Sequence, residues 1–281
     1  MSIPQNTNAT KPGWSLEKRD PEFIKSMLPV MGWLYENYFR VQASGWENIP
    51  RNEKILLVGS HSGGLAAPDM LMMMYDWFRI FGVESPVYGL MHPKAWIVDN
   101  PISQMAAKSG AIIAHPKMAR AAFASGASVL VYPGGAQDVF RPHAMRHQIY
   151  FAGRKGFIKL ALRENVPIIP IISVGAHDTL FVLADIYPIL AQLNSWGIPW
   201  LGGFDPEVFP IYLGLPWGLG IGPLPNIPLP SKIYTHVCPG IKFPHYGHQA
   251  ACDRAYVDEC YNLVVETMQA ELDKLVAISK L

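Results

Sequence analysis

The sequence predicts an α/β fold: a single domain with a mixed, largely parallel sheet covered by helices, preceded by an N-terminal amphipathic helical segment. Three observations lead there. Short apolar, β-branched runs alternate along the chain with stretches of helical periodicity. Most of these runs have no polar face, as expected of strands covered on both sides. The 281 residues are 50% hydrophobic and only 16% charged, against about 25% charged in an ordinary soluble chain, so they can fill a large core and still leave apolar surface.

Residues 1–14 (MSIPQNTNATKPGW) are polar, lack the apolar stretch of a secretory signal, and read as a disordered tail. Residues 15–50 form the amphipathic segment, with apolar positions at helical spacing over 22–39 and Pro29 as a kink or boundary. The main domain spans 51–281. Within it 55–59 (ILLVG) is a buried strand, and 68–81 is a helix with Pro68 and Asp69 at its start. Residues 86–89 and 110–114 read as strands, 116–125 as a short helix, and 128–132 (SVLVY) as a strand ending in PGGAQD. A helix over 156–164 (GFIKLALRE) precedes the β-branched run 166–174 (VPIIPIISV). Residues 233–237 suggest an edge strand, and 249–275 one long amphipathic helix.

Two stretches, 186–204 and 208–231, contain no charged residue, and length alone would permit a membrane span. The second carries Pro210, Pro216, Pro223, Pro225, Pro228 and Pro230 with four glycines, and the first is broken by Pro188, Gly197, Pro199, Gly202 and Gly203. No spanning helix tolerates that density of breakers. The stretches read instead as apolar loops, aromatic through Trp196, Trp200, Phe204, Phe209 and Trp217, that lie on a bilayer or line an acyl pocket. A net charge of +1 with no basic stripe argues against nucleic-acid binding. Cys238, Cys252 and Cys260 lack metal-ligand spacing and read as buried thiols of a reducing compartment, with no metal site.

Chemistry concentrates in two places. In GSHSGGLAAPD (59–69) a histidine sits in a loop between strand and helix, where sites gather in open α/β sheets. His61 is either a general base oriented by Asp69 or a strand-end residue beside a helix cap. Ser62 lacks the first glycine of a Gly-x-Ser-x-Gly elbow, and Asp178 with His236 or His248 are only nominal triad partners. In YPGGAQD (132–138) Gly134 and Gly135 can turn backbone N–H groups towards an anion, or simply close a turn. Arg141, Arg146, Arg154, Lys155 and Lys159 form the densest basic region, suited to phosphates of a carrier or to a solvated face.

HSGG with its following PD, then YPGGAQD, GRKGFIKLAL and VPIIPIISVGAHD, in this order, resemble the lysophospholipid acyltransferase superfamily, in particular its diacylglycerol and monoacylglycerol acyltransferase type 2-like branch. The resemblance covers about 55–178, with a weaker echo in LPWGLGIGPLPNIPLPSKI at 215–233. It implies transfer of a fatty acyl group from a thioester, acyl-CoA, to a lipid hydroxyl, with no metal, no bound cofactor and no covalent enzyme intermediate. His61 matches the catalytic base, Asp69 its orienting partner, and Gly63, Gly64, Gly134, Gly135, Gln137 and Asp138 fall where substrates are positioned. Arg141, Arg154 and Lys155 are the candidates for substrate phosphates.

Two departures from the family pattern bear on substrate. Phosphate-using members carry His-x4-Asp, whereas position 66 is alanine and Asp69 comes three residues later, within reach only if the loop bulges. Gly134-Gly135-Ala136-Gln137 also replaces the family segment whose arginine is associated with an acceptor phosphate. The expected acceptor is therefore neutral, an acylglycerol or long-chain alcohol, unless Arg141 or Arg154 substitutes. The expected setting is cytoplasmic, at a membrane surface met through apolar loops in 186–231. Alternatives are a lysophospholipid or glycerol-phosphate acyltransferase, a serine lipase or thioesterase acting through Ser62, and a lipid-binding protein without turnover.

Overall fold

Ile55, Leu56, Leu57 and Val58 are fully buried, as a run with no polar face requires. They lie at the middle of the main sheet. The computed structural model describes residues 11–51, 53–97, 100–200, 203 and 205–280. Along the chain it forms α1 (Pro21–Trp33), β1 (Gln42–Ser44), β2 (Leu56–Gly59), α2 (Pro68–Phe81), β3 (Val87–Met91) and α3 (Pro101–Lys108). Then come β4 (Ala111–Ile113), α4 (Pro116–Ala124), β5 (Ser128–Val131), α5 (Gly135–Val139), α6 (Gly156–Glu164) and β6 (Ile168–Val174). The last third holds β7 (Phe181–Asp185), α7 (Tyr187–Ser195), β8 (Pro210–Gly214), β9 (Gly218–Ile221), β10 (Tyr234–Val237), α8 (His248–Cys252) and α9 (Arg254–Ser279).

The main sheet has the order β1-β10-β6-β2-β5-β3-β4. From β6 to β4 all neighbours are parallel, and β10 joins β6 antiparallel. Helices cover both faces. Leu56, Val58, Val129 and Ile168 pack with Met118, Phe157, Leu162, Val264 and Met268 of α4, α6 and α9. Ile55, Leu57, Leu130 and Ile169 pack on the other side with Ile24, Met73, Trp77 and Phe78 of α1 and α2. Burial on both faces at about 25 cal/mol per Å² of apolar surface is what holds such a sheet together.

Several expectations are corrected. The 233–237 strand is not at the edge: β10 lies between β6 and β1, and β1, in a segment read as helical, takes the edge. The segments 15–50 and 51–281 thus share one sheet. Of the tail read as disordered, 1–10 lie outside the described residues, while Gly13 accepts a hydrogen bond from Ile113 N–H at 2.9 Å and Trp14 packs on the core. Pro29 does not end α1, which runs through it and closes in a π-helical turn, Leu34–Tyr38. The long C-terminal helix is broken at Asp253, whose carboxylate caps α9 by accepting from Tyr256 N–H. Cys238 and Cys260 are buried, but Cys252 is exposed.

The two uncharged stretches read as loops are partly regular: the first contains α7 and the second β8 and β9. β7, β8 and β9 form a second, antiparallel sheet. Its inner face is Val182 and Tyr212, which pack on Val139, Phe140 and Leu180. Its outer face presents Phe181, Leu183, Leu213, Leu219 and Ile221, all exposed. Phe204 lies outside the described residues. Among the described residues no helix is long and apolar enough to cross a membrane.

Candidate active site

β6, β2 and β5 are parallel neighbours, and the segments that leave their carboxyl ends meet. After β2 come Ser60, His61 and Ser62; after β5, Tyr132 to Asp138; after β6, the turn Ala176–Thr179. Ligands bind at such strand ends in open α/β sheets.

The loop after β2 bulges as the late aspartate requires. Gly63 and Gly64 adopt φ of 91° and 69°, a 3-10 turn covers Gly64–Ala66, and Ala67 enters α2 at φ 46°. Gly63 cannot be replaced cheaply: a Cβ there would lie 2.6 Å from Pro68 Cδ, in a backbone region L-residues avoid. The path brings Asp69, in the first turn of α2, back under the imidazole. His61 Nδ1 stands 2.9 Å from Asp69 Oδ2 and 3.2 Å from Oδ1, and Ser62 N–H donates to Oδ2 at 2.9 Å. Asp69 is 3% exposed.

A carboxylate accepts only, so Nδ1 carries a proton, and in the neutral ring Nε2 keeps its lone pair. Nε2 has no partner among the described residues. Burial disfavours the imidazolium, but attraction and hydrogen bonding from Asp69, with a smaller pull from Asp138, outweigh it and hold the His61 pKa above the ordinary 6.5. Tyr132 stacks on the imidazole with ring centroids 4.4 Å apart. Gly59 makes room for that ring, since a Cβ there would come 2.2 Å from it. The arrangement anchors one imidazole nitrogen and leaves the other, in the neutral ring, able to accept a proton.

Beneath it lies a buried ion pair. Asp138 Oδ1 accepts from Arg141 Nη1 at 2.6 Å, and Asp138 Oδ2 accepts from His61 N–H. Burial pushes the Asp138 carboxyl up to about 6, against the pull of Arg141 and the His61 N–H. Arg141 also donates to the His61 and Met145 carbonyls, to Arg146 O, and to Ser62 Oγ at 3.1 Å. His177 Nε2–H donates to Arg141 O at 2.8 Å, and burial, with Arg141 nearby, lowers its pKa to about 3.

These contacts revise several expected roles. Arg141 is 3% exposed with all three guanidinium nitrogens bonded to protein acceptors, so it braces the His61 backbone and does not serve as a phosphate ligand. Asp138, fully buried, is its counter-ion and not a substrate contact. Gly135 N–H is taken by Tyr132 O at 3.2 Å, so it closes a turn and faces no anion. Gly134, tight against Asp138 and the Tyr150 carbonyl, accepts from Arg154. Arg154 engages Pro133 O and Gly134 O through Nη1 alone and is half-buried. Lys155 is drawn to α9, 2.8 Å from Asp258 and over the Tyr261 ring. Gln137 sits half-buried on α5.

Ser62 is 2% exposed and its hydroxyl is held by Arg141. Its nominal partners are engaged elsewhere: Asp178 with His143, His236 with Ser44, His248 with Cys252. The serine elbow therefore has no geometric basis. Sequence reasoning missed Tyr132 and Asn226. An aromatic residue closing the 128–132 strand was a readable hint for the first; nothing local pointed to the second, whose amide bonds the turn after His61.

A family model described as diacylglycerol acyltransferase matches residues 117–186. An uncharacterized protein of Mycobacterium tuberculosis is 30% identical over 264 residues, covering 92% of this chain and 68% of the relative. Human diacylglycerol O-acyltransferase 2 is 26% identical over 161 residues, 53% of this chain and 37% of that protein. The crystal structure of a 1-acyl-sn-glycerophosphate acyltransferase from Thermotoga maritima superposes with a TM-score of 0.50, covering 90% of this chain and 78% of that one. At 16% identity this last likeness is one of fold.

Proposed function

Because this chain belongs to the diacylglycerol acyltransferase-like branch of the lysophospholipid acyltransferase superfamily, we propose that its acyltransferase activity moves a fatty acyl group from acyl-CoA to the hydroxyl of a neutral lipid, with His61 as general base. The His61–Asp69 pair carries this reading: Nδ1 is anchored at 2.9 Å and Nε2 is free at the carboxyl end of β2. As the acceptor oxygen attacks the thioester carbonyl, its proton passes to Nε2. The C–S bond then breaks, and the departing thiolate takes that proton back. Atoms and charge balance without a covalent enzyme intermediate.

A neutral acceptor is favoured because Arg141, the best-placed cation, is fully occupied. Arg154, with only Nη1 engaged, retains donors for the phosphates of the thioester. Consumption of acyl-CoA against a panel of acylglycerols, fatty alcohols and lysophosphatidate tests this. The expected kcat/KM is at least about tenfold higher for a neutral acceptor, a difference of about 1.4 kcal/mol in transition-state binding. Preference for lysophosphatidate would overturn the assignment.

With its pKa above 6.5, His61 is protonated and inactive at low pH, so kcat/KM rises as pH climbs through that pKa. Asp69→Asn removes the group that offsets burial. The acid limb then moves to lower pH, and kcat falls by about a hundredfold or more as the imidazole loses its anchored tautomer. A pH–rate profile of both proteins reads this directly.

The outer face of the small sheet supports docking at a lipid surface. In register, Phe181 pairs with Leu213 and Leu213 with Leu219, giving a row of exposed apolar side chains across all three strands. Leu213→Glu combined with Leu219→Glu places two charges in that row. Sedimentation with neutral phosphatidylcholine vesicles should fall about tenfold, with melting unchanged because neither side chain is buried.

A further inference from the structure

The turn that joins His61 to Asp69 has little support of its own. Three of its residues, Gly63, Gly64 and Ala67, have positive φ, and one of these carries a Cβ. Within the turn a single backbone bond, Ala67 N–H to Gly64 O at 3.2 Å, closes it. Isolated, such a loop would relax.

Asn226, 160 positions along the chain, holds it from outside. Its Nδ2 donates to Gly63 O at 3.1 Å, and its Oδ1 accepts from Ala66 N–H at 3.3 Å. A primary amide is the side chain that offers a donor and an acceptor on one rigid plane, so it closes the turn as a peptide group of a neighbouring strand would. The fit is close: a Cβ on Gly64 would lie 2.6 Å from Oδ1. Asn226 is itself well moored. Ile227 N–H donates to Leu215 O at 2.8 Å, Leu229 N–H to Thr179 O at 2.9 Å, Trp217 Nε1–H to Pro225 O and Tyr38 Oη–H to Pro228 O, both at 2.7 Å. Bonds to the nearby Leu215–Trp217 segment and to two remote residues, Thr179 and Tyr38, thus fix the position of one amide.

We infer that Asn226 is a positioning residue for acyl transfer: it clamps the Gly63–Ala66 turn and so holds the Asp69 carboxylate on His61 Nδ1. It touches neither residue, and it rests on the reading of His61 as base. The groups facing the imidazole are Asp69, Asp138, Arg141 and Tyr132. Asp138 and Arg141 are fixed to each other, so loosening the turn changes chiefly the Asp69 contact.

Asn226→Ala and Asn226→Leu, the second filling the side-chain volume without its hydrogen bonds, are compared with the parent, His61→Ala and Asp69→Asn. In both Asn226 variants kcat should fall about 10- to 100-fold with KM within about threefold, as expected when an interaction acts on the chemical step. The His61 imidazole pKa, followed by NMR, should move down with the acid limb of the rate profile. Should the alanine variant fail to fold, the leucine variant carries the test alone. Parent kcat and an unmoved imidazole pKa in the leucine variant would overturn the inference. Activity retained in His61→Ala would instead overturn the reading on which it rests, so the two failures are distinguishable.

Discussion

His61→Ala should abolish acyl transfer, lowering kcat by about 10²- to 10⁴-fold, the range expected when a positioned general base is removed. No other side chain in the site can replace it. Asp69 and Asp138 are buried beneath the imidazole. His177, the other histidine in the network, uses Nε2 on the Arg141 carbonyl and is buried away from solvent. The fold should tolerate the change, because the imidazole lies outside the hydrophobic core clusters and its side chain is 17% exposed. Thioester release followed with a thiol reagent, beside a melting curve, separates the two effects. An inactive but unfolded variant would say nothing about the base, so His61→Gln, which keeps polarity and much of the volume, is the companion.

Asp138→Ala should have the largest effect on stability. Arg141 would stay buried with its charge uncompensated, and breaking a buried pair from one side costs about 3–5 kcal/mol. That is a large fraction of the 5–15 kcal/mol by which domains of ordinary stability are folded. Arg141 also donates to the His61 carbonyl and Ser62 Oγ, so any surviving protein should lose activity through a displaced base. The double change Asp138→Leu with Arg141→Met removes both charges and should recover most of the stability but not the activity. Urea midpoints measure the first, thioester release the second. A loss below about 1 kcal/mol in the single variant would mean that the guanidinium reaches water in solution.

How far the sequence spoke depends on whether the signal was local. α2 is bounded as expected, from Pro68 at its first position to Gly82 beyond its end, where φ is 83°. α6 likewise stops at Asn165 in the left-handed region. The parallel strands were legible because burial on both faces leaves no polar residue in them. β7 to β9 were hidden for a related reason: inner and outer faces are both apolar, so no alternation shows, and the prolines argued for loops. α3 carries a readable start, Asn100 capping before Pro101. At the site, the His61–Asp69 pairing could be proposed from spacing and the glycines. The occupation of Arg141 could not, because its acceptors come from His61, Asp138, Met145 and Arg146, which only folding gathers.

The place of β10 between β6 and β1 also sets a schedule for synthesis. Ser44 and His236, paired across β1 and β10, are 192 positions apart. At about 5–20 residues per second, β1 emerges from the ribosome roughly 10–40 seconds before the strand it pairs with. Throughout that interval β1 has no strand to pair with, and once β6 has emerged its outer edge stays open until β10 follows. Asn226 leaves the ribosome only shortly before β10, so a nascent chain that already contains histidine, carboxylate and glycines still lacks the amide on the turn between them. A chain arrested between β6 and that point therefore offers cellular quality control a long-lived unpaired edge beside a half-built site.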